Sequence, residues 1–194
     1  MKLSIDLRNP TRAEWADTVM ADFDTFLQDH ADCERKASSM MLSMVAKYPN
    51  RTEIIPEIID TALEELEHFR DVAAIIHSRG RQLENPFGED PYIKGLMAFV
   101  RTSTNERFLD RLLLASLFET RGMERFKMIW ERLPEGDLKK FYHRLWAAEA
   151  KHAHIFVKMA LMYFDEETVY SRLHQFADEE GRIVAGMPLR AALH

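Results

Sequence analysis

The residues best suited to chemistry are two Glu-x-x-His pairs, Glu65 with His68 and Glu149 with His152. On a helix, side chains three positions apart lie on one face, so each pair can present a carboxylate and an imidazole to the same metal ion. With 19 Glu and 8 His in 194 residues, such pairs also occur by chance, and the motif alone indicates little. Their surroundings decide whether they bind a metal.

Each pair is preceded by another glutamate at almost the same distance. Glu34 lies 31 residues before Glu65, and Glu119 lies 30 residues before Glu149. The two sets are offset by 85 residues at the first glutamate and by 84 at the pair. This is an internal repeat of ligand residues and not of general composition.

All six side chains fall on rows that are otherwise mostly apolar. Residues three, four or seven positions apart share a helix face. The four rows are Phe23, Leu27, His30, Glu34, Met41 and Val45; Ile58, Ala62, Glu65, His68, Phe69 and Val72; Leu112, Ser116, Glu119, Met123 and Phe126; and Leu138, Tyr142, Leu145, Glu149, His152 and Phe156. We therefore expect all six to point into the core.

Inward carboxylates need compensating positive charge, because an ionised group is costly to bury alone. Four glutamates with two histidines lack enough basic partners, whereas two divalent cations neutralise all four charges. Carboxylate and imidazole ligands suit iron or manganese. The predicted metal ligands are Glu34, Glu65, His68, Glu119, Glu149 and His152. A metal-free core of hydrogen-bonded Glu and His pairs is the alternative.

The neighbouring polar residues are weaker candidates. Glu64, Glu67 and Glu124 lie off the inward rows and are expected to be solvated. His30 lies on an inward row one turn before Glu34, where it either supports that ligand or is a hydrogen-bonded core histidine. His154 is expected to face outward, and Cys33 is assigned no role. No catalytic residue is predicted beyond the metal ligands.

Four long amphipathic helices must position these residues. They are predicted over Thr11–Lys47, Thr52–Ser78, Ser103–Arg132 and Asp137–Phe164, with a short helix over Tyr92–Val100 and a further one from Asp165 to about Gly181. Short connections make two antiparallel hairpins, and about 25 residues separate them. The predicted fold is therefore all-α, a ferritin-like four-helix bundle with one long crossover connection and an extra C-terminal helix, in a single domain over residues 1–194.

Composition limits the remaining functional classes. No apolar run approaches the length of a membrane span, no secretory signal is recognised, and the single cysteine excludes an intramolecular disulfide, so we expect a cytoplasmic protein. The net charge of −6 argues against general nucleic-acid binding. The charge is uneven, however: residues 1–90 carry 10 basic and 18 acidic side chains, whereas residues 91–152 carry 12 basic and 8 acidic ones. The second stretch therefore has a local excess of positive charge, which fits either a basic binding face or an ordinary solvated helix surface.

Four stretches resemble a known family. HADCERKAS (30–38), EELEHFRDV (64–72), FETRGMERF (118–126) and FYHRLWAAEAKHAHIF (141–156) are similar to the bacterial tRNA hydroxylases that act on 2-methylthio-N6-isopentenyladenosine next to the anticodon. The resemblance covers about residues 20–160 and includes all six ligand positions in order. The chain departs from the family pattern at Gly122-Met123 and in its C-terminal tail.

The resemblance implies an O2-dependent di-iron monooxygenase that hydroxylates an allylic methyl of the isopentenyl group. It implies two iron ions, O2 as co-substrate, and two electrons from a separate reductase as electron-transfer partner. The tRNA partner requires positive surface, for which the candidates are Arg121, Arg125, Lys127, Arg132, Lys139, Lys140, Arg144 and Lys151. The alternatives are a ferritin-like ferroxidase or iron-binding protein, a hydroxylase of another substrate, and a non-enzymatic helical module.

Overall fold

A computed structural model describes residues 6–84 and 90–194, and in these ranges it contains seven α-helices and no strand. The helices are α1 (Ala13–Ala21), α2 (Phe23–Lys47), α3 (Ile55–Ser78), α4 (Pro91–Ala98), α5 (Thr104–Arg132), α6 (Asp137–Leu161) and α7 (Glu166–Gly186). The predicted all-α class is confirmed.

The prediction of a single first helix is wrong, because the structure divides this segment into two helices, α1 and α2. Asp22 adopts a non-helical backbone conformation (φ −138°, ψ 63°), and its side chain accepts a hydrogen bond from the Thr25 backbone N–H. Aspartate at this position satisfies a backbone donor that the start of a helix leaves unpaired. The boundary between α1 and α2 therefore lies at Asp22, although the apolar pattern of the sequence continues through this position.

The other helix boundaries lie close to their predicted positions. Pro56 is in the first turn of α3, where its missing N–H costs little. Asp165 caps α7, which continues to Gly186, five residues beyond its predicted end. At the start of α5, Ser103 and Glu106 have the spacing of a capping box, but the box is not formed, since the Ser103 hydroxyl donates to the Glu106 carboxylate and caps no backbone N–H.

Two compact units are distinguished by their internal contacts. One consists of described residues 18–84 and 190–193, in which α2 packs against α3. Its core contains Phe26, Leu27, Met41, Met44, Ile58, Ala62, Val72 and Ile76. We call it the α2–α3 unit. That the whole chain forms a single domain stays a prediction.

The other unit consists of described residues 6–17, 90–189 and 194, and we call it the α5–α6 unit. Here α5 packs against α6, while α7 packs against α4, α5 and α6. Leucines of α5 and apolar residues of α6 and α7 fill its core, among them Leu112, Leu113, Phe126, Leu145, Phe156, Leu173 and Phe176.

Among the described residues, no helix combines the length and apolar character that crossing a membrane requires.

Candidate metal centre

The α2–α3 unit brings together Glu34, Glu65 and His68, which we call the first triad. Each offers one ligand atom, and these atoms lie within 4.8 Å of one another. His68 Nδ1 is 3.8 Å from Glu34 Oε2 and 3.6 Å from Glu65 Oε2. These distances exceed those of normal hydrogen bonds and suit atoms that share one cation.

A serine fixes the two helices beside this triad. Ser38, one turn after Glu34 on α2, donates a hydrogen bond of 2.8 Å to the Ala62 carbonyl on α3. Both residues are buried, and Ala62 lies three residues before Glu65. The small side chains allow α2 and α3 to approach closely at this level, so the glutamates of both helices can reach one point.

Glu34 is held by a buried histidine. His30, one turn earlier on α2, is fully buried, and its Nε2 lies 2.7 Å from Glu34 Oε1. Burial by itself would raise the pKa of Glu34, but the hydrogen bond with His30, and after it the nearby His68 imidazole, hold that pKa well below its ordinary value. The carboxylate is therefore ionised and ready to bind a cation, and of the two readings of His30 the structure favours the supporting one.

The α5–α6 unit brings together Glu119, Glu149 and His152, which we call the second triad. Their ligand atoms also lie within 4.8 Å of one another, and all three residues are buried. His152 Nδ1 is 3.4 Å from Glu149 Oε2. Ser116, three residues before Glu119, donates a hydrogen bond of 2.7 Å to the Ala153 carbonyl of α6, a contact of the same type as that of Ser38 but at a different position relative to the glutamate.

The donor set of each triad fits one divalent cation. Two carboxylates and a neutral imidazole supply two negative charges and three donor atoms. With metal–ligand bonds of about 2.1 Å, neighbouring donors around one octahedral ion lie about 3.0 Å apart and opposite donors about 4.2 Å apart. The triads need only small adjustments to reach these values, and nitrogen with carboxylate oxygen is a ligand set that iron accepts.

The competing glutamates behave differently from one another. Glu67 is exposed, as predicted from its position off the inward row. Glu124 is only partly exposed, and the expectation that it is solvated is wrong. Its carboxylate accepts hydrogen bonds from the Thr11 backbone N–H and hydroxyl and from Arg121. It is a structural anion that anchors the segment preceding α1.

Sequence reasoning missed a buried charge network around Arg121. The guanidinium is fully buried and binds Glu180 of α7 through Nε at 2.8 Å; Glu180 is also fully buried. The Tyr92 hydroxyl of α4 donates to the same carboxylate oxygen at 3.1 Å, and Arg121 also donates to the Asn9 carbonyl. Glu124 is a local partner of Arg121, but Glu180, Tyr92 and Asn9 lie far along the chain, so no pattern in the sequence indicated that the arginine is buried.

This network corrects the list of basic surface candidates. Arg121 and Arg125 are both buried, so neither is available to a large polyanion. Burial, followed by the nearby charge of Arg121, lowers the pKa of Arg125 to about 10, and its guanidinium lies over the Trp15 ring. The other six candidates remain at least partly exposed on α5 and α6: Lys127, Arg132, Lys139, Lys140, Arg144 and Lys151. His154 is exposed, as predicted.

Helical hairpins that carry paired Glu and Glu-x-x-His ligands define the class of ferritin-like carboxylate proteins. A solved structure supports this class: the chain is 33% identical to protein 43 with aldehyde deformylating oxygenase activity from Synechococcus, with a TM-score of 0.90 over 95% of this chain and 92% of that one. The predicted ferritin-like fold is confirmed.

Within this class, the family model described as tRNA-(MS[2]IO[6]A)-hydroxylase (MiaE) matches residues 2–194, and the chain belongs to that family. It is 34% identical over 189 residues to the tRNA 2-(methylsulfanyl)-N(6)-isopentenyladenosine(37) hydroxylase of Pseudomonas putida, covering 92% of this chain and 91% of the relative. It is 27% identical over 132 residues to the enzyme of the same name from Salmonella typhimurium, covering 68% of this chain and 48% of the relative. The family predicted from the sequence is confirmed.

Proposed function

We propose that this chain is an O2-dependent di-iron monooxygenase that hydroxylates the isopentenyl group of 2-methylthio-N6-isopentenyladenosine in tRNA. The observation that carries the proposal is the pair of Glu, Glu and His triads, found in a chain of the tRNA hydroxylase family. The relatives from P. putida and S. typhimurium are both named for this reaction. The six predicted ligands are proposed to bind two iron ions, one per triad.

Charge supports two divalent ions and no more. Each triad contributes two carboxylates, so two Fe²⁺ ions bring the combined charge of the six ligands to zero, which suits a buried position. When bound, two iron ions would supply the reduction of O2 and the cleavage of an allylic C–H bond. The overall reaction inserts one oxygen atom into that bond and releases the other as water, and it consumes two electrons and two protons from an external reductase and solvent.

The protein's own residues position the ligands and limit the access of water. His30 fixes the orientation of Glu34, and the contacts of Ser38 and Ser116 set the spacing of the helices that carry the ligands. Phe126, Leu145 and Phe156 are buried in the α5–α6 unit, on the rows that carry the second triad. An apolar surround of this kind restricts side reactions with water.

The most direct test is nucleoside analysis of tRNA from a bacterial strain that lacks this modification. Expression of the wild-type chain is expected to produce hydroxylated isopentenyladenosine, whereas Glu149→Gln is expected to abolish it. Glu67→Gln is the matched control, since Glu67 is a helical glutamate next to a predicted ligand, His68, but is itself exposed. If the wild-type protein is expressed and iron-loaded but no hydroxylated nucleoside appears, the tRNA assignment is wrong.

The similarity to the Synechococcus protein favours a second candidate, an oxygenase that removes the formyl group of an aldehyde. Its sequence identity to this chain, 33%, is nearly that of the P. putida hydroxylase, 34%. Both reactions can use the same donor set, so the ligands do not separate them. Purified iron-loaded protein should be offered an aliphatic aldehyde and modified tRNA separately, each with a reductant. Formate release without nucleoside hydroxylation would favour the second candidate.

A further inference from the structure

The outer face of α6 has an unusual charge distribution. Between Leu138 and Leu161 the helix carries five lysine or arginine residues and a single acidic residue, Glu149, which is buried. The exposed surface of this stretch therefore has no carboxylate, although the chain as a whole has a net charge of −6. Such a local reversal of charge is the electrostatic footprint of a polyanion-binding face.

The basic side chains form a row. Arg144, Lys151 and Lys158 recur every seven residues, which places them on one side of the helix, and Lys140 lies one turn before Arg144. All four are exposed. At 1.5 Å per residue, the row from Arg144 to Lys158 extends about 21 Å. The phosphates of an RNA backbone also recur at regular intervals, so a basic row of this length can contact several of them.

An aromatic cluster lies beside this row. The rings of Trp130 on α5 and Trp146 on α6 are stacked, with centroids 5.2 Å apart and planes 19° from parallel. His143 meets both tryptophans edge to face, at 5.2 and 5.6 Å, and Lys127 Nζ lies 5.7 Å from the Trp146 ring centroid. The tryptophans are partly exposed and His143 is exposed. Unpaired nucleobases stack on such surfaces.

Nearby carboxylates do not cancel this positive surface. Lys127, Lys139 and Lys140 each lie within ion-pair distance of Glu131, Glu135 or Asp137. These three pairs are at the surface and near the ends of α5 and α6, where solvent screens them strongly. The Arg144 guanidinium lies 5.8 Å from the centroid of the Phe141 ring. Because the ring is neutral, the positive charge of Arg144 stays available to an anion.

We propose that this face, made of Trp130, His143 and Trp146 together with Lys140, Arg144, Lys151 and Lys158, is the docking surface for tRNA. This inference rests on the proposed function and names the part of the protein that recognises its macromolecular substrate. The basic row binds backbone phosphates, and the aromatic cluster stacks against an unpaired base of the anticodon loop. Glu149, three residues after Trp146, is buried on the side of α6 opposite the basic row, so phosphate binding on this face is separate from the proposed metal ligands.

Binding of labelled tRNA by Arg144→Glu/Lys158→Glu tests the basic row. The tRNA should come from a strain that lacks the hydroxylase, and binding should be followed by fluorescence anisotropy at several salt concentrations. We expect the affinity to fall at least about tenfold and the slope of log K against log salt to decrease by about 1.4, or roughly 0.7 for each lost phosphate contact. The matched control is Lys47→Glu/Arg182→Glu, which changes the net charge equally at exposed positions on α2 and α7.

Activity separates docking from chemistry. In Arg144→Glu/Lys158→Glu, we expect KM for tRNA to rise about tenfold, while turnover of the free modified nucleoside stays at the wild-type rate. A wild-type protein that is inactive on both substrates would refute the proposed function but would leave the binding measurement valid. If the variant binds tRNA like the control, or if duplex DNA competes as well as tRNA does, the docking surface is wrong.

The aromatic cluster has its own test. Trp15 is buried, so Trp130 and Trp146 should account for most quenching of tryptophan fluorescence by bound tRNA. Trp146→Ala is expected to lower tRNA affinity about tenfold, whereas Trp146→Phe keeps a stacking surface and should retain most of it. Thermal melting identifies any loss of folding. Equal binding by the wild type and a folded Trp146→Ala variant would contradict base stacking at this site.

Discussion

The two triads contain the same ligand types but differ in the groups that hold them. Glu34 of the first triad is bound by His30, one turn earlier on the same helix. The residue one turn before Glu119 in the second triad is Ala115, which has no side-chain donor. The repeat thus covers the ligands but not the groups that orient the carboxylates. The serine contacts between helices also lie at non-equivalent positions, since Ser38 follows Glu34 and Ser116 precedes Glu119.

The triads also differ in exposure and in their connection to the rest of the fold. The His68 side chain is 17% exposed, whereas that of His152 is completely buried. Two residues after Glu119, Arg121 is fully buried and bound to Glu180; two residues after Glu34, Lys36 is 48% exposed and paired with Asp32. The histidine of the second triad is therefore the more deeply buried, and only the second triad has a fully buried ion pair two residues from one of its glutamates.

Removal of a ligand from either triad should have the largest effect. His68→Ala and His152→Ala are each expected to lose iron and to reduce hydroxylation at least about 100-fold, since even residues that only support ligands contribute 10- to 100-fold. Iron analysis and nucleoside analysis measure the two effects. The controls are the exposed histidines of the same helices, His77→Ala and His154→Ala, which should retain iron and activity. Full iron content in His68→Ala or His152→Ala would exclude that residue as a ligand.

The buried Arg121–Glu180 pair should contribute far more to stability than the partly exposed Lys36–Asp32 pair. Arg121→Met leaves the Glu180 carboxylate buried without its arginine and is expected to lower the free energy of unfolding by about 3–5 kcal/mol. Lys36→Met removes a partly exposed pair, and since Asp32 keeps Arg35 as a partner the change should cost about 0–1 kcal/mol. Urea denaturation measures both. Equal losses would mean that the buried Arg121–Glu180 pair contributes no more to stability than the Lys36–Asp32 pair.

Loss of the His30 contact should affect the first triad selectively. His30→Ala removes the hydrogen bond to Glu34 and is expected to weaken binding of one iron ion about 10- to 100-fold while leaving the other site intact. His30→Gln retains a donor and should recover part of the affinity. Anaerobic Fe²⁺ titration resolves the two sites, and a thermal melt shows whether folding is preserved. Equal weakening at both sites would indicate a general packing defect.

The serine contacts should give the smallest effect, equal in the two halves. Ser38→Ala and Ser116→Ala each remove a buried hydrogen bond to a carbonyl of the neighbouring helix and are expected to cost about 1 kcal/mol of stability. Ser39→Ala is the control, since the exposed Ser39 bonds only to the Arg35 carbonyl of its own helix. A much larger loss for one serine would show that the two helix pairs are not equivalent.

The sequence predicted the parts of the structure that repeat along a helix. The apolar rows located the helices, and the near-equal spacing of the glutamates and Glu-x-x-His pairs identified six candidates that the structure gathers into two triads. That these six together bind two iron ions stays a prediction. Periodicity worked here because ligands, like core residues, must share one face of a helix.

The sequence did not predict features that depend on distant residues or on one local conformation. Asp22 interrupts a continuous apolar pattern, and only its backbone conformation shows that α1 ends there. Arg121 and Glu124 looked like surface charges because Glu180 and Thr11, which pair with them, lie 59 and 113 residues away. Long-range pairing of charges leaves no periodic signal in the chain.

The number of iron ions bound per chain is the most direct test of whether each triad binds one metal ion. Metal-free protein should be titrated with Fe²⁺ under anaerobic conditions, with binding followed calorimetrically and the bound iron counted after desalting. We expect saturation at two iron ions per chain for the wild type and no retained iron for a folded Glu65→Ala/Glu149→Ala variant. Saturation at one ion or fewer, or two ions retained by that variant, would contradict the binding of one iron ion by each triad.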